Sequence, residues 1–370
     1  MFIPNWLNMM SSTSRYMIPI FFLHFLIHVL CVPFLFSGAQ GKQIPAVFVF
    51  GDSTVDPGNN NYLPTVARGN FPPYGKDFVN HEATGRFSNG RLVTDFITSF
   101  VGVKENLPPF LDPSLTIEDL MTGVSFASAG AGYDPFTSEL SGALTASQQL
   151  DLFRDYKRKM EVAIGKEKTD DIIKSAGYIV SSGTNDFAFN YYGPVAVQRT
   201  LYPTISAYQD FLLQTIQKFL QDLLDEGAMK IGVVGAPPIG CLPAMITLNS
   251  KDPISGRQCI ERFNSISRDY NQLLQNNLKG LQRMDTRVVY ADIYTPIIDM
   301  VQGNTQTVFE EVHQGCCGTG LIEADFLCNQ KSPLCSDVSK YVFWDAFHPT
   351  EKAYYVIFKS FESLIRQNIA

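Results

Sequence analysis

A serine hydroxyl becomes a nucleophile when an imidazole takes its proton and a carboxylate holds the imidazole from the far side. The sequence offers such a serine in Phe50-Gly-Asp-Ser53, directly after the apolar run Ala46-Val-Phe-Val-Phe50. A strand that ends in small polar residues would lift that hydroxyl to the rim of a sheet. Of the 5 histidines, His24 and His28 lie in an apolar N-terminal stretch, which leaves His81, His313 and His348 as bases. His81 has no acid at a useful spacing, and His313 precedes a cysteine pair. His348, in Trp344-Asp-Ala-Phe-His-Pro349, follows Asp345 by three positions, and on a helical or turn backbone such positions share a face. Asp345 could then fix one ring nitrogen and leave the other for the Ser53 proton. An isolated pair of this spacing is ordinarily a turn cap, so the reading depends on further partners.

Acyl transfer also needs preorganised donors for an oxyanion. Ser182-Gly-Thr-Asn-Asp186 follows an apolar run, which puts the Asn185 amide at the same rim. The small-residue segment Val124-Ser-Phe-Ala-Ser-Ala-Gly-Ala-Gly132 leaves the backbone N–H groups around Gly130 sterically open. Together with Ser53, Asp345 and His348, these fill every role an acyl-transfer site requires. Asp56, Asn59 and Asn60 read as residues that pin the turn after Ser53 rather than as chemical groups.

These residues are spaced by alternating elements. Residues 46–50, 178–182, 230–234 and 287–290 are short apolar runs of strand length. Between them, residues 208–224 and 259–281 repeat their apolar positions at helical spacing. Such alternation predicts a parallel sheet covered by helices on both faces, with ligands bound beyond the carboxyl ends of the strands. Each polar cluster named above falls at such an end. No internal repeat and no Pro/Gly/Ser linker divides the chain, so residues 40–370 are expected to form a single domain.

The four blocks, in order, closely resemble the plant GDSL esterase/lipase family within the SGNH hydrolase superfamily. They are Phe50-Gly-Asp-Ser53 with Asp56 and Gly58-Asn-Asn60, Phe126-Ala-Ser-Ala-Gly130, Gly183-Thr-Asn-Asp186 and Asp345-Ala-Phe-His-Pro349. The resemblance runs from about residue 45 to the C terminus and includes Gly85-Arg-Phe-Ser-Asn-Gly90, a Pro-Pro-Ile-Gly-Cys stretch and a Gly-Cys-Cys-Gly turn. It implies a three-layer α/β/α sandwich with a central, mainly parallel, flavodoxin-like sheet. It makes Ser53 the nucleophile, His348 the general base and Asp345 its orienting acid, with the Ser53 N–H, Gly130 and Asn185 as oxyanion donors. Many relatives read Ser-Gly-Gly where this chain has Ser128-Ala-Gly130, and alignment of the block assigns the donor to Gly130. No metal or organic cofactor is implied. The G-x-S-x-G elbow of the α/β-hydrolases is absent.

The expected activity is hydrolysis of carboxylic esters through an acyl-enzyme, on a small-molecule lipid or acylated-glycan substrate. Acyl transfer to an alcohol and a non-catalytic lipid- or glycan-binding role are the alternatives. A net charge of -7 and the lack of any block of five like charges argue against a nucleic-acid partner. Residues 17–36 are almost unbroken apolar sequence between Arg15 and Ser37-Gly-Ala39, which reads as a signal peptide over residues 1–39. A retained signal anchor is the competing reading. Cleavage would leave a secreted extracellular or cell-wall protein with no stable membrane span. Of 7 cysteines, Cys31 would leave with the signal, and the remaining even set, Cys241, Cys259, Cys316, Cys317, Cys328 and Cys335, implies disulfides. A bond between adjacent Cys316 and Cys317 would be strained, so each is expected to reach one of Cys328 and Cys335, leaving Cys241 with Cys259. A zinc site from Cys316, Cys317, Cys328, Cys335 and His313 is the alternative, though it lacks paired knuckle spacing.

Overall fold

The computed structural model describes residues 44–193 and 197–368; the predicted signal segment lies outside the described residues. Four strands, β1 (Val47–Gly51), β2 (Gly177–Ser181), β3 (Lys230–Val234) and β4 (Arg287–Ala291), form a wholly parallel sheet in the order β1-β2-β3-β4. β1 and β2 are buried along their whole length, which is why both read as continuous apolar runs rather than as an alternation.

Seven longer helices flank the sheet: α1 (Val93–Phe100), α2 (Ala146–Ile164), α3 (Lys166–Ser175), α4 (Ile205–Asp225), α5 (Glu261–Lys279), α6 (Tyr294–Gln302) and α7 (Glu351–Asn368). Side chains alternate across β1. Phe48 meets Phe153 and Tyr156 of α2, with ring centroids 5.4 and 4.9 Å apart, and Phe50 meets Phe219 of α4 at 5.6 Å. On the opposite face, Phe96 of α1 stacks on Phe358 of α7 at 5.9 Å, and Ile97, Ile365 and Phe361 share an apolar space with Ile179 and Val234. This is the predicted α/β/α sandwich.

The extended segment before Gly130 adds to the free edge of β1. Val49 N–H donates to the Val124 carbonyl at 3.2 Å, Phe126 N–H to Val49 at 2.7 Å and Ser128 N–H to Gly51 at 3.0 Å. Although it follows β1 in sequence, it lies on the side away from β2, so the chain leaves the two sides of β1 in opposite directions. That divergence is the topological switch point of a flavodoxin-like sheet, and it opens a crevice at the carboxyl ends of β1 and β2. Beyond the sheet, β5 (Glu311–Gly315) and β6 (Tyr341–Phe343) pair in parallel and lead toward Asp345.

Candidate active site

Gly51 closes β1 at φ 145°, and a Cβ there would sit 1.9 Å from the Ser181 carbonyl oxygen. Only glycine lets the chain turn this tightly against the end of β2. The turn is clamped by Gln149 of α2, whose amide accepts from Gly51 N–H at 2.8 Å and donates to the Gly51 carbonyl at 2.9 Å. Asp52 N–H donates to Ser181 at 3.0 Å, and the Asp52 carboxylate accepts from the N–H and hydroxyl of Thr54 at 3.0 and 2.7 Å. Ser53 is thereby held between two fixed neighbours. Its N–H has no hydrogen-bond partner among the described residues.

The Ser53 hydroxyl lies 2.7 Å from His348 Nε2, and His348 Nδ1 lies 2.7 Å from Asp345 Oδ2 and 2.9 Å from Oδ1. Asp345 is fully buried and collects further donors: Phe347 and His348 N–H at 2.8 Å to Oδ1, and the Tyr74 hydroxyl at 2.8 Å to Oδ2. The Phe87 ring packs beside the imidazole, centroids 5.0 Å apart. Phe87 is fixed by its neighbour Arg86, which forms a buried bidentate pair with Asp95 at 2.7 and 2.8 Å. Burial works to lower the His348 pKa, but the charge of Asp345 and its hydrogen bond, with Asp325 and Asp52 behind it, outweigh burial and hold it above its ordinary value.

The Asp345–His348 loop is stapled from below. Cys316 and Cys317 N–H donate to the carbonyls of Phe343 and Trp344 at 3.1 and 2.9 Å. Disulfides Cys316–Cys335 and Cys317–Cys328 anchor that segment, and Cys241–Cys259 forms the third bond. These are the expected pairings. They overturn the zinc alternative, because its four cysteines are consumed in disulfides and none retains a thiolate for a metal.

The loop carrying Gly130 is held by the residues expected to pin the turn. Asp56 accepts from Gly58 and Asn59 N–H at 2.8 and 2.6 Å, and its other oxygen takes the Ala129 N–H at 3.0 Å. The Asn59 amide donates to the carbonyls of Ser125 and Ala127, and Asn60 to those of Ala67 and Ala129. Asp56 therefore occupies the Ala129 amide and leaves that of Gly130 without a partner among the described residues. Gly130 lies at φ 85°, and a Cβ would come within 2.5 Å of the Ser141 hydroxyl oxygen. Asn185 donates one amide hydrogen to the Ala131 carbonyl at 2.9 Å, which fixes its carboxamide and leaves a second hydrogen available. Its neighbour Asp186 accepts from Tyr133 N–H, Asp134 N–H and the Thr137 hydroxyl at 2.8, 3.1 and 2.6 Å, tying the loops after β2 and after residue 128 into one unit.

Ser53, Gly130, Asn185 and His348 all line one cleft of about 300 Å³, whose apolar walls come from Ala67, Ala129, Leu140, Phe189, Ala324 and Phe347. Asp345 stands behind His348, out of solvent. His81 is exposed on a surface turn and His313 lies on β5, and neither lines the cleft. Tyr74, Gln149 and Asp186 were not singled out from sequence as site-shaping residues. Asp186 stood inside the block quoted for Asn185, so its position could have flagged it; Tyr74 and Gln149 carry no local signal.

The sequence model of the GDSL-like lipase/acylhydrolase family matches residues 47–361. A GDSL esterase/lipase of Arabidopsis thaliana is 51% identical over 322 residues, 86% of this chain and 85% of its own length. Two more from the same plant are 46% identical over 318 residues, covering 85% and 88% of the two chains, and 45% identical over 343 residues, covering 91% and 94%. With the family's match spanning the sheet, the cleft and all four ordered blocks, the chain belongs to the GDSL-like lipase/acylhydrolase family of ester-hydrolysing enzymes.

Proposed function

We propose that the protein is a secreted serine esterase in which Ser53, His348 and Asp345 form the catalytic triad. The observation that carries the reading is the unbroken relay from Ser53 Oγ through His348 to Asp345, 2.7 Å at each nearest contact. Ser53 Oγ attacks the ester carbonyl carbon while His348 Nε2 takes its proton. The oxyanion then accepts from the N–H groups of Ser53 and Gly130 and from the Asn185 amide, each such donor contributing about 3 kcal/mol to the barrier's reduction. As the tetrahedral intermediate collapses, the imidazolium gives its proton to the departing alcohol. Water, deprotonated by the same nitrogen, attacks the acyl-enzyme, and the carboxylic acid leaves as Ser53 recovers its proton.

Two features support this assignment of donors. Among the described residues the N–H groups of Ser53 and Gly130 have no partner, and both residues line the cleft where an oxyanion would take them. Asn185 lines the same cleft with its orientation fixed. Secretion, with residues 1–39 removed as a signal peptide and residues 40–370 as one hydrolase domain, is supported by three disulfides, since such bonds persist in oxidising compartments. Among the described residues no helix is long and apolar enough to cross a membrane. Replacing Ser53 with Ala tests the assignment: ester turnover should fall by about four orders of magnitude or more with the melting temperature preserved. Turnover within tenfold of wild type in a folded variant would end it.

A further inference from the structure

Asp325 is the only acidic residue among those lining the cleft, and the relay described above does not use it. It lies near the end of a loop closed by the Cys317–Cys328 disulfide, with the Cys328 N–H donating to the Asp325 carbonyl at 3.0 Å. Its backbone lies at φ 48°, left-handed space that a residue with a Cβ rarely adopts. Among the described residues its carboxylate has no hydrogen bond or ion pair with the protein, while it lies close enough to His348 and Asp345 to feel both charges. Burial pushes its pKa up to about 6.

A disfavoured backbone and a half-buried carboxylate with open lone pairs both weigh against stability. Holding His348 does not require them, because Asp345 already accepts from Nδ1 with both oxygens. The remaining use is toward a ligand. The Ala, Leu and Phe side chains of the walls suit the methylenes of an acyl chain, and the Thr137 and Ser141 hydroxyls donate within the protein, to Asp186 and to the Gly130 and Ser138 carbonyls, whereas Asp325 offers acceptors with no partner.

We propose that Asp325 is a specificity-determining residue that accepts hydrogen bonds from free hydroxyls on the alcohol portion of the substrate, so that the preferred substrates are partial esters of polyols. This rests on the esterase reading above and narrows it to one substrate class. A carboxylate placed to receive hydroxyl hydrogens discriminates against an analogue that lacks them, because its half-buried oxygens then lose those hydrogen bonds.

The test compares glycerol monobutyrate with ethyl butyrate, which share an acyl group and differ in hydroxyls. Wild-type enzyme should show at least about a tenfold higher kcat/KM for the glycerol ester. Asp325→Ala should bring that ratio close to one, mainly by raising KM for the glycerol ester, and Asp325→Asn, which keeps one acceptor oxygen, should retain part of it. Any effect of Asp325 on His348 acts on both substrates and cancels in the ratio. A wild-type ratio near one, or a ratio unchanged in folded Asp325→Ala, overturns the proposal. So does butyrylcholine losing more than the glycerol ester on Asp325→Asn, since that would assign the carboxylate to positive charge. Failure of wild-type enzyme to turn over any of the three esters would instead remove the esterase reading and this proposal with it; turnover without preference removes only the proposal.

Discussion

Asp345→Asn replaces one oxygen by NH₂ at a site where every neighbour donates. Two backbone N–H groups, from Phe347 and His348, converge on Oδ1 at 2.8 Å, so the carboxamide oxygen must take that position. The NH₂ then occupies the place of Oδ2, facing the Tyr74 hydroxyl at 2.8 Å and His348 Nδ1 at 2.7 Å. Tyr74 can rotate its hydroxyl to accept, whereas the Nδ1 proton keeps only the longer 2.9 Å contact to the amide oxygen and meets the NH₂ at its 2.7 Å contact, a repulsion relieved by moving the proton from Nδ1 to Nε2. In that tautomer Nε2 donates to Ser53 instead of receiving its proton, so the base is lost while the packing stays intact. The imidazolium also loses its principal stabilising charge. The same exchange of tautomer in serine proteases lowers kcat by about 10⁴, and a loss of that order is expected here. Steady-state hydrolysis of a soluble ester at pH 8, with a melting curve on the same preparation, measures it. A folded Asp345→Asn enzyme within tenfold of wild-type kcat would refute the argument that Asp345 sets the tautomer.

His348 must be neutral to act as base, and its pKa is held above 6.5; kcat/KM should therefore decline as pH falls through a midpoint above 6.5, and a pH profile still flat down to pH 6 would contradict this. Asn185→Ala should cost about 10²–10³ in kcat with KM little changed, because the donor acts on the transition state. If Asn185 served only to hold Ala131, the variant would lose melting temperature while kcat per folded molecule stayed near wild type.

Much of this was legible in the sequence because the relevant signals are local. The sheet strands are short apolar runs, buried along their whole length in β1 and β2 and partly exposed in β4; the expected bounds match β3 and differ from the others by at most a residue at an end. The helix expected over residues 208–224 begins earlier, at Ile205, because Thr204 caps it by accepting from Ala207 N–H at 3.2 Å. The one expected over 259–281 is shorter, Glu261–Lys279, because Cys259 is tied to Cys241 and Ile260 N–H is bound to the Gly240 carbonyl at 2.8 Å. In sequence only the alignment of the block assigns the donor to Gly130 rather than Ala129, and the Asp56 contact that separates them links positions 73 apart. Tyr74 reaches Asp345 across 271 positions, and Asp325 lines the cleft from a loop closed by a disulfide. Contacts of that range leave no periodicity or spacing to read.

The central claim, that Ser53 is a nucleophile activated by His348, is tested most directly by covalent labelling with a fluorophosphonate and mass spectrometry of the digested protein. Wild-type enzyme should carry one phosphonyl group, on the peptide containing Ser53, and His348→Ala should slow its formation by at least about 10³. Labelling at another residue, or labelling of Ser53 at an unchanged rate in folded His348→Ala, would contradict the account.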